Sequence, residues 1–325
     1  MLDHGGNVRQ AAELYGRPVE QWLDLSTGIN PLGWSVPELP PEICRRLPEA
    51  QDGLEQAAAA YYGCESLLPV AGTQQAIQQL PGLRQPCRVG IMDPTYSEHA
   101  KAWSEAGHEV VRLEQDVIDE TLADLDVLVI TRPNNPDGLM IGKERALEWH
   151  RQLAEKGGWL VADEAFIDTN PQESLALASP RQGLVVLRSL GKFFGLAGIR
   201  CGFVLADAPL LERLQEQAGP WAVSGPARWI AGQALADRQW QQETISRLER
   251  SGKRLNELLT THGLQPSGGT ALFQLVRTPR AAMLFDGLAS KGILTRIFRD
   301  ISSIRFGLPG SEDEWQRLEE ALGNS

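Results

Sequence analysis

A chain of 325 residues that is 42% hydrophobic and 22% charged, with nine Trp, can bury a large core, which excludes a mostly disordered protein. Lys and Arg number 31 against 42 Asp and Glu, and the resulting charge of −11 disfavours a nucleic-acid or anionic-membrane partner while allowing a local arginine site. Cys44, Cys64, Cys87 and Cys201 form no CxxC pair and have no adjacent His, so reduced thiols and no metal site are expected.

The first twenty residues, MLDHGGNVRQAAELYGRPVE, are polar and mixed in charge, without the apolar run of a secretion signal. No other segment approaches the ~18 apolar residues of a membrane span, so a cytoplasmic protein is expected. After the Pro- and Gly-rich stretch Gly28–Pro41, short apolar runs alternate with amphipathic ones. Arg88–Met92, Glu109–Leu113, Asp126–Thr131, Trp159–Asp163, Gly183–Leu190 and Cys201–Ala206 read as strands. That rhythm predicts an α/β fold with a mostly parallel sheet covered by helices on both faces. Beyond Ala208 long polar helices are predicted, one running from Pro226 past Leu258, followed by a strand at Thr270–Val276. The segment Pro220–Pro226 punctuates the change. The expected organisation is a large domain over 41–221 and a smaller α/β domain from 1–40 and 222–325.

In open α/β sheets the ligand crevice lies at the carboxyl ends of the strands. Four predicted strands end in polar segments: Asp93-Pro94-Thr95-Tyr96, Arg132 to Gly138, Asp163-Glu164-Ala165-Phe166 and Ser189-Leu190-Gly191-Lys192. Arg200 precedes the sixth strand. Gly191-Lys192 is not a nucleotide-binding phosphate loop, because Phe193 stands where Ser or Thr is needed and Val186 where the leading Gly is needed.

Ser189, Lys192 and Arg200 in SLGKFFGLAGIRCGF resemble the lysine segment of fold-type I pyridoxal-phosphate enzymes. Ala71-Gly72-Thr73 at a helix start, the Asn134-Asn135-Pro136-Asp137-Gly138 turn and the Asp163–Phe166 strand end match the same family pattern in the same order. Pro220–Pro226 and Gly268–Phe273 extend the resemblance over nearly the whole chain. It implies pyridoxal 5'-phosphate as the cofactor, bound in the large domain. Lys192 would condense with the cofactor aldehyde, which needs a deprotonated amine in a crevice that lowers its pKa. Asp163 would keep the pyridine nitrogen protonated, so that the ring draws electrons from Cα. Asn135 would donate to the phenolic oxygen and Tyr96 would stack on the ring. The backbone amides of Gly72 and Thr73, with Ser189 and Arg200, would hold the cofactor phosphate.

Within that group the chain resembles the histidinol-phosphate aminotransferases and, more closely, the threonine-phosphate decarboxylase family of cobalamin synthesis. Phe166 stands where the aminotransferase pattern has Tyr, and Arg46-Leu47-Pro48 where it has an Arg-Tyr-Pro segment that reaches the neighbouring subunit. His4-Gly5-Gly6-Asn7, and Leu25–Gly33 around Asn30, resemble the amino-terminal segments of the decarboxylase family. A glycine pair with His and Asn at a helix start suits a phosphate on the substrate. Arg305, in IRFGLPG, stands where the family holds its carboxylate-binding arginine, with Arg296 and Arg299 close by in the sequence. The implied activity is decarboxylation of L-threonine O-3-phosphate to (R)-1-amino-2-propanol phosphate and CO2 by a homodimer. An aminotransferase of the histidinol-phosphate type and a non-catalytic ligand-binding relative are the alternatives. The bond that breaks at Cα is the one held perpendicular to the ring, an angle the sequence does not display.

Overall fold

The computed structural model describes residues 4–323. Its strands are β1 (Leu23–Asp24), β2 (Leu67–Val70), β3 (Arg88–Met92), β4 (Glu109–Leu113), β5 (Val127–Thr131), β6 (Trp159–Asp163), β7 (Leu184–Ser189), β8 (Gly202–Leu205), β9 (Gly268–Thr270), β10 (Phe273–Arg277), β11 (Ile293–Leu294), β12 (Arg296–Phe298) and β13 (Ser303–Gly307). Its α-helices are α1 (Val8–Tyr15), α2 (Leu54–Tyr62), α3 (Thr73–Gln79), α4 (Ser97–Glu105), α5 (Ile118–Thr121), α6 (Lys143–Ala154), α7 (Ala208–Ala218), α8 (Gly225–Ala236), α9 (Arg238–Thr261), α10 (Ala281–Ser290) and α11 (Glu312–Gly323). No helix among the described residues is long and apolar enough to cross a membrane.

Contacts divide the chain into two compact units. One comprises the residues up to Gly33, Pro136–Leu139 and those from Glu243 onward; the other, larger, comprises Trp34–Asn135 and Met140–Gln242. The larger unit holds a seven-stranded sheet in the order β2-β8-β7-β6-β5-β3-β4. The strands from β3 to β7 run parallel, and β8 lies antiparallel to both β7 and β2. The six expected strands are all present. β5, β6 and β7 are buried almost throughout, and this explains their unbroken apolar runs, because parallel strands are covered on both faces. Val129, Val161, Val185 and Leu187 pack there with Ile77, Leu80 and Trp103. Each buried aliphatic side chain of this kind contributes about 1.5–3 kcal/mol. β2 is an unexpected addition. Pro69 interrupts its short run, and a proline is tolerated because β2 lies at the sheet edge.

Three expectations beyond Ala208 need correction. The helix expected from Pro226 past Leu258 is broken at Asp237, where φ is −83° and ψ is 78°. The Asp237 carboxylate accepts the Trp240 backbone N–H and the Trp34 indole N–H, both at 3.0 Å, and so caps the start of α9. The strand expected over Thr270–Val276 is a hairpin of β9 and β10 with Thr270 opposite Phe273. α8, expected in the small domain, packs within the larger unit, where Arg228 bonds Asp52 at 2.7 Å and Glu55 at 2.8 Å.

The smaller unit has a four-stranded antiparallel sheet, β12-β13-β10-β9, and a two-stranded parallel pair, β1 with β11. Gly138, with φ of +76°, lies so close to Gly269 that a Cβ would fall on its backbone, so glycine is required there.

Candidate active site

β5, β6 and β7 are neighbours in the sheet, with Thr131 opposite Asp163 and Asp163 opposite Leu187, so their polar ends lie side by side. A cavity of about 160 Å³ at these ends is lined by Thr73, Tyr96, Asn135, Asp163, Ser189, Lys192 and Arg200, with Phe166 and Gln74 among the remaining walls. Seven of the eight residues expected around the cofactor therefore share one cavity. Gly72 does not line it. Its φ is +73°, and a Cβ there would meet Arg200 Nη2 at 2.6 Å, so the missing side chain is what admits the guanidinium to the start of α3.

Asp163 is 4% exposed. Its Oδ1 accepts the Ala165 backbone N–H at 3.1 Å and its Oδ2 lies 3.0 Å from Nε2 of His99. His99 is buried and was missed in the sequence. The one signal for it is position, since it lies in the first turn of α4, three residues after Tyr96, which immediately precedes that helix. The Tyr96 and His99 rings meet edge to face at 6.1 Å. Burial and the nearby Glu98 and Asp163 carboxylates push the Tyr96 phenol up to about 12. It is thus a neutral donor, bonding Gln74 Oε1 at 3.1 Å.

Lys192 Nζ lies 5.4 Å from the centre of the Phe166 ring, a cation–π contact. The chain just after it is held rigidly: the Gly195 N–H bonds the Lys192 carbonyl at 3.1 Å, and Phe194 stacks on Trp240 at 5.6 Å. In the preceding loop, Asn134 is buried, donating to the Pro94 carbonyl at 2.9 Å and accepting from Thr95 at 2.7 Å. Asn134 fixes the loop and Asn135 lines the cavity.

Next in sequence to Thr131, Asp163 and Ser189 stand Arg132, Glu164 and Arg188, whose side chains point to the opposite face because strand residues alternate. Arg132 bonds Glu164 at 2.6 Å, Ser174 donates to Glu164 at 2.5 Å, and Arg188 bonds Asp168 at 2.5 Å. No local pattern marks these charges as buried and paired. Removing one partner of such a pair is strongly destabilising.

The smaller unit has its own cavity of about 180 Å³, lined by His4, Gly5, Gly6, Asn7, Ser26, Thr295 and Arg296 and by apolar groups such as Leu14 and Phe285. Gly6 donates its N–H to Ser26 Oγ at 2.7 Å, and a Cβ on Gly5 would lie 2.5 Å from the Ser26 carbonyl oxygen. Asn7 precedes α1 without capping it through its side chain, which instead bonds the His4 carbonyl at 2.9 Å. Arg305 does not line this cavity. It is 6% exposed, donates to the Ser26 carbonyl at 2.9 Å and lies 4.9 Å from the Phe273 ring centre. Burial and the neighbouring Arg296 push its guanidinium down to about 9, so it is charged at neutral pH. Asn30, also buried, accepts the Leu32 N–H at 3.0 Å and shapes the turn after β1.

The strand-end cavity combines a buried carboxylate, an amine, and a group of hydroxyl, guanidinium and helix-start amides. Those groups complement an aromatic nitrogen, an aldehyde and a phosphate, so the donor set fits pyridoxal 5'-phosphate. Among the described residues no group of His, Cys, Asp and Glu is placed to hold a metal ion.

Residues 42–322 match the family described as aminotransferase class I and II. The chain is similar to a threonine-phosphate decarboxylase of Pseudomonas aeruginosa, 52% identical over 322 residues that cover 99% of this chain and 97% of that one. A threonine-phosphate decarboxylase of a Sinorhizobium species is 42% identical, with 98% and 97% covered. Among solved structures, a histidinol-phosphate aminotransferase from Sinorhizobium meliloti in complex with pyridoxal-5'-phosphate matches with a TM-score of 0.83. It is 20% identical over 99% of this chain and 95% of that one, a likeness that speaks for the fold alone.

Proposed function

This chain belongs to the class I and II aminotransferase family, and from that premise we propose that it is a pyridoxal-phosphate-dependent decarboxylase of L-threonine O-3-phosphate. Its products are CO2 and (R)-1-amino-2-propanol phosphate, the precursor of the cobalamin side-chain linker. One observation carries the reading: 52% identity along nearly the full length of an enzyme of that name.

The cofactor, when bound, supplies an electron sink for the bond broken at Cα. Lys192 would anchor it through the side-chain amine, and the same amine is the group that could return a proton to the substrate Cα. Asp163 holds a proton on the ring nitrogen, and His99 keeps the carboxylate aimed. Asn135 would bond the phenolic oxygen and Tyr96 would pack against the ring. Gly72, Thr73, Ser189 and Arg200 hold the cofactor phosphate. The cofactor-binding domain is then the larger unit, and the smaller unit carries substrate-binding groups. His4, Gly5, Gly6 and Asn7 take the substrate phosphate. Arg305 takes the α-carboxylate, its charge kept by a value near 9, and Asn30 shapes the same segment.

We also assign a homodimer in the cytoplasm. Leu47 is 63% exposed and borders, with Arg46 and Trp229, a cavity of about 400 Å³, a surface of mixed polar and apolar side chains that a second copy would cover. The four cysteines are free, which suits a reducing compartment. The aminotransferase alternative is tested directly by assaying L-threonine O-3-phosphate with and without 2-oxoglutarate. CO2 release that needs no 2-oxo acid is the expected result, whereas turnover that depends on 2-oxoglutarate would replace this reading with transamination.

A further inference from the structure

Three hydroxyl-bearing side chains border the cavity of the smaller unit, and two of them are engaged. Tyr15 donates to Asp286 Oδ1 at 3.0 Å. Ser26 donates to Asp24 Oδ1 at 2.6 Å and accepts the Gly6 N–H at 2.7 Å. The third, Thr295, is 2% exposed, and its Oγ1 is buried with no hydrogen-bond partner among the described residues. Native structures rarely leave a buried hydroxyl unpaired, and such a group calls for an explanation.

The topology places this residue at a junction. Thr295 joins β11, which pairs in parallel with β1, to β12, which pairs antiparallel with β13. It therefore belongs to neither ladder and stands where the chain changes sheets. Its neighbour Arg296 lines the same cavity and brings a positive charge there. The first turn of α1, after Asn7, contains no acidic residue that would repel an anion.

We propose that Thr295 is a specificity-determining residue whose hydroxyl donates to the phosphate of the substrate, beside Arg296 and the amino-terminal glycines. The inference rests on reading this cavity as the substrate-phosphate site. A phosphate monoester offers several charged acceptor oxygens, and a hydroxyl donating to an anion makes a shorter, stronger bond than one donating to a neutral group. An unphosphorylated amino acid leaves the hydroxyl unpaired, and a site with an unpaired buried polar group discriminates against the ligand that cannot satisfy it.

Thr295→Val keeps the shape of the side chain and removes the donor, while Thr295→Ser keeps the donor. The valine variant should raise KM for L-threonine O-3-phosphate about tenfold, with kcat changed by less than about twofold, and weaken competitive inhibition by inorganic phosphate to a similar degree. Its kcat/KM with unphosphorylated L-threonine should not change, and the serine variant should resemble the parent. If the valine protein does not fold, Thr295→Ala against Thr295→Ser makes the same comparison. Equal losses on both substrates, or no loss on either, would overturn the assignment. Arg296→Gln measured in parallel separates the two levels. If it erases the preference for the phosphorylated substrate and Thr295→Val does not, the phosphate site stands and Thr295 has no part in it. If neither variant alters the preference, the reading of the cavity falls as well.

Discussion

Asp163 and Ser189 stand at the ends of adjacent strands that are buried almost throughout, and their spacing is set by the β6–β7 ladder. His4, Gly6 and Asn7 are exposed, and the Gly6 N–H bond to Ser26 ties that segment to the rest of its unit. The first cavity is held by a sheet with paired charges on its other face, and the second by a short turn and one uncapped helix start. Groups that must meet a reacting atom gain from the rigid frame. Segments tied by few buried contacts open at low free energy, which suits a region that admits and releases ligand. Damage to the two regions should therefore differ in kind: loss of turnover in one, loss of affinity and selectivity in the other.

The largest effect is expected from Lys192→Ala, which should remove nearly all turnover together with the borohydride-trapped cofactor adduct seen by mass spectrometry. An adduct retained on a different lysine would relocate the anchor. Asp163→Asn should still bind cofactor, as judged by absorbance, while kcat drops on the order of 10²–10³-fold, because a neutral amide cannot keep the ring nitrogen protonated. Near-normal turnover would mean that another carboxylate has this task.

Breaking the amino-terminal cavity should leave the cofactor in place. Deletion of Met1–Asn7 should weaken L-threonine O-3-phosphate roughly ten- to a hundredfold and erase its advantage over unphosphorylated threonine. Arg305→Ala should weaken both substrates and preserve that advantage, since its assigned partner is the carboxylate. Competition kinetics on the two substrates distinguishes these patterns, and a truncated protein with full preference would move the phosphate elsewhere. The smallest effect is expected at His99, behind the rigid cavity. His99→Ala should lower stability by about 1–3 kcal/mol in thermal unfolding of the cofactor-free protein and slow kcat by about tenfold, because Asp163 Oδ2 loses a buried partner. His99→Gln keeps a donor and should recover most of both; failure to recover the rate would point to a role for the imidazole itself.

Much of the strand-end cavity was readable from sequence, because its information is local. Buried parallel strands are uninterrupted apolar runs, and the polar residues directly after them stand out, so Asn135, Asp163, Ser189 and Lys192 could be picked by position and by resemblance. Single-strand interpretations failed where a local signal was weak or ambiguous: Pro69 hid β2, and Thr270–Val276 read as one strand although the chain turns back on itself there. The break at Asp237 was equally hidden, since an aspartate within a polar helical pattern looks like any exposed helix residue until its carboxylate is seen capping α9.

The sequence by itself thus determined the α/β class, the order of the strands along the chain, and the strand-end residues that share one cavity, because periodicity and spacing are properties of neighbours. Only the tertiary structure decided that His99 meets Asp163 across a separation of 64 residues, that Arg132 and Glu164 are a buried pair, and that the Thr295 hydroxyl has no partner among the described residues. Each of those facts depends on which distant groups burial has brought within hydrogen-bonding reach and which it has left unmatched.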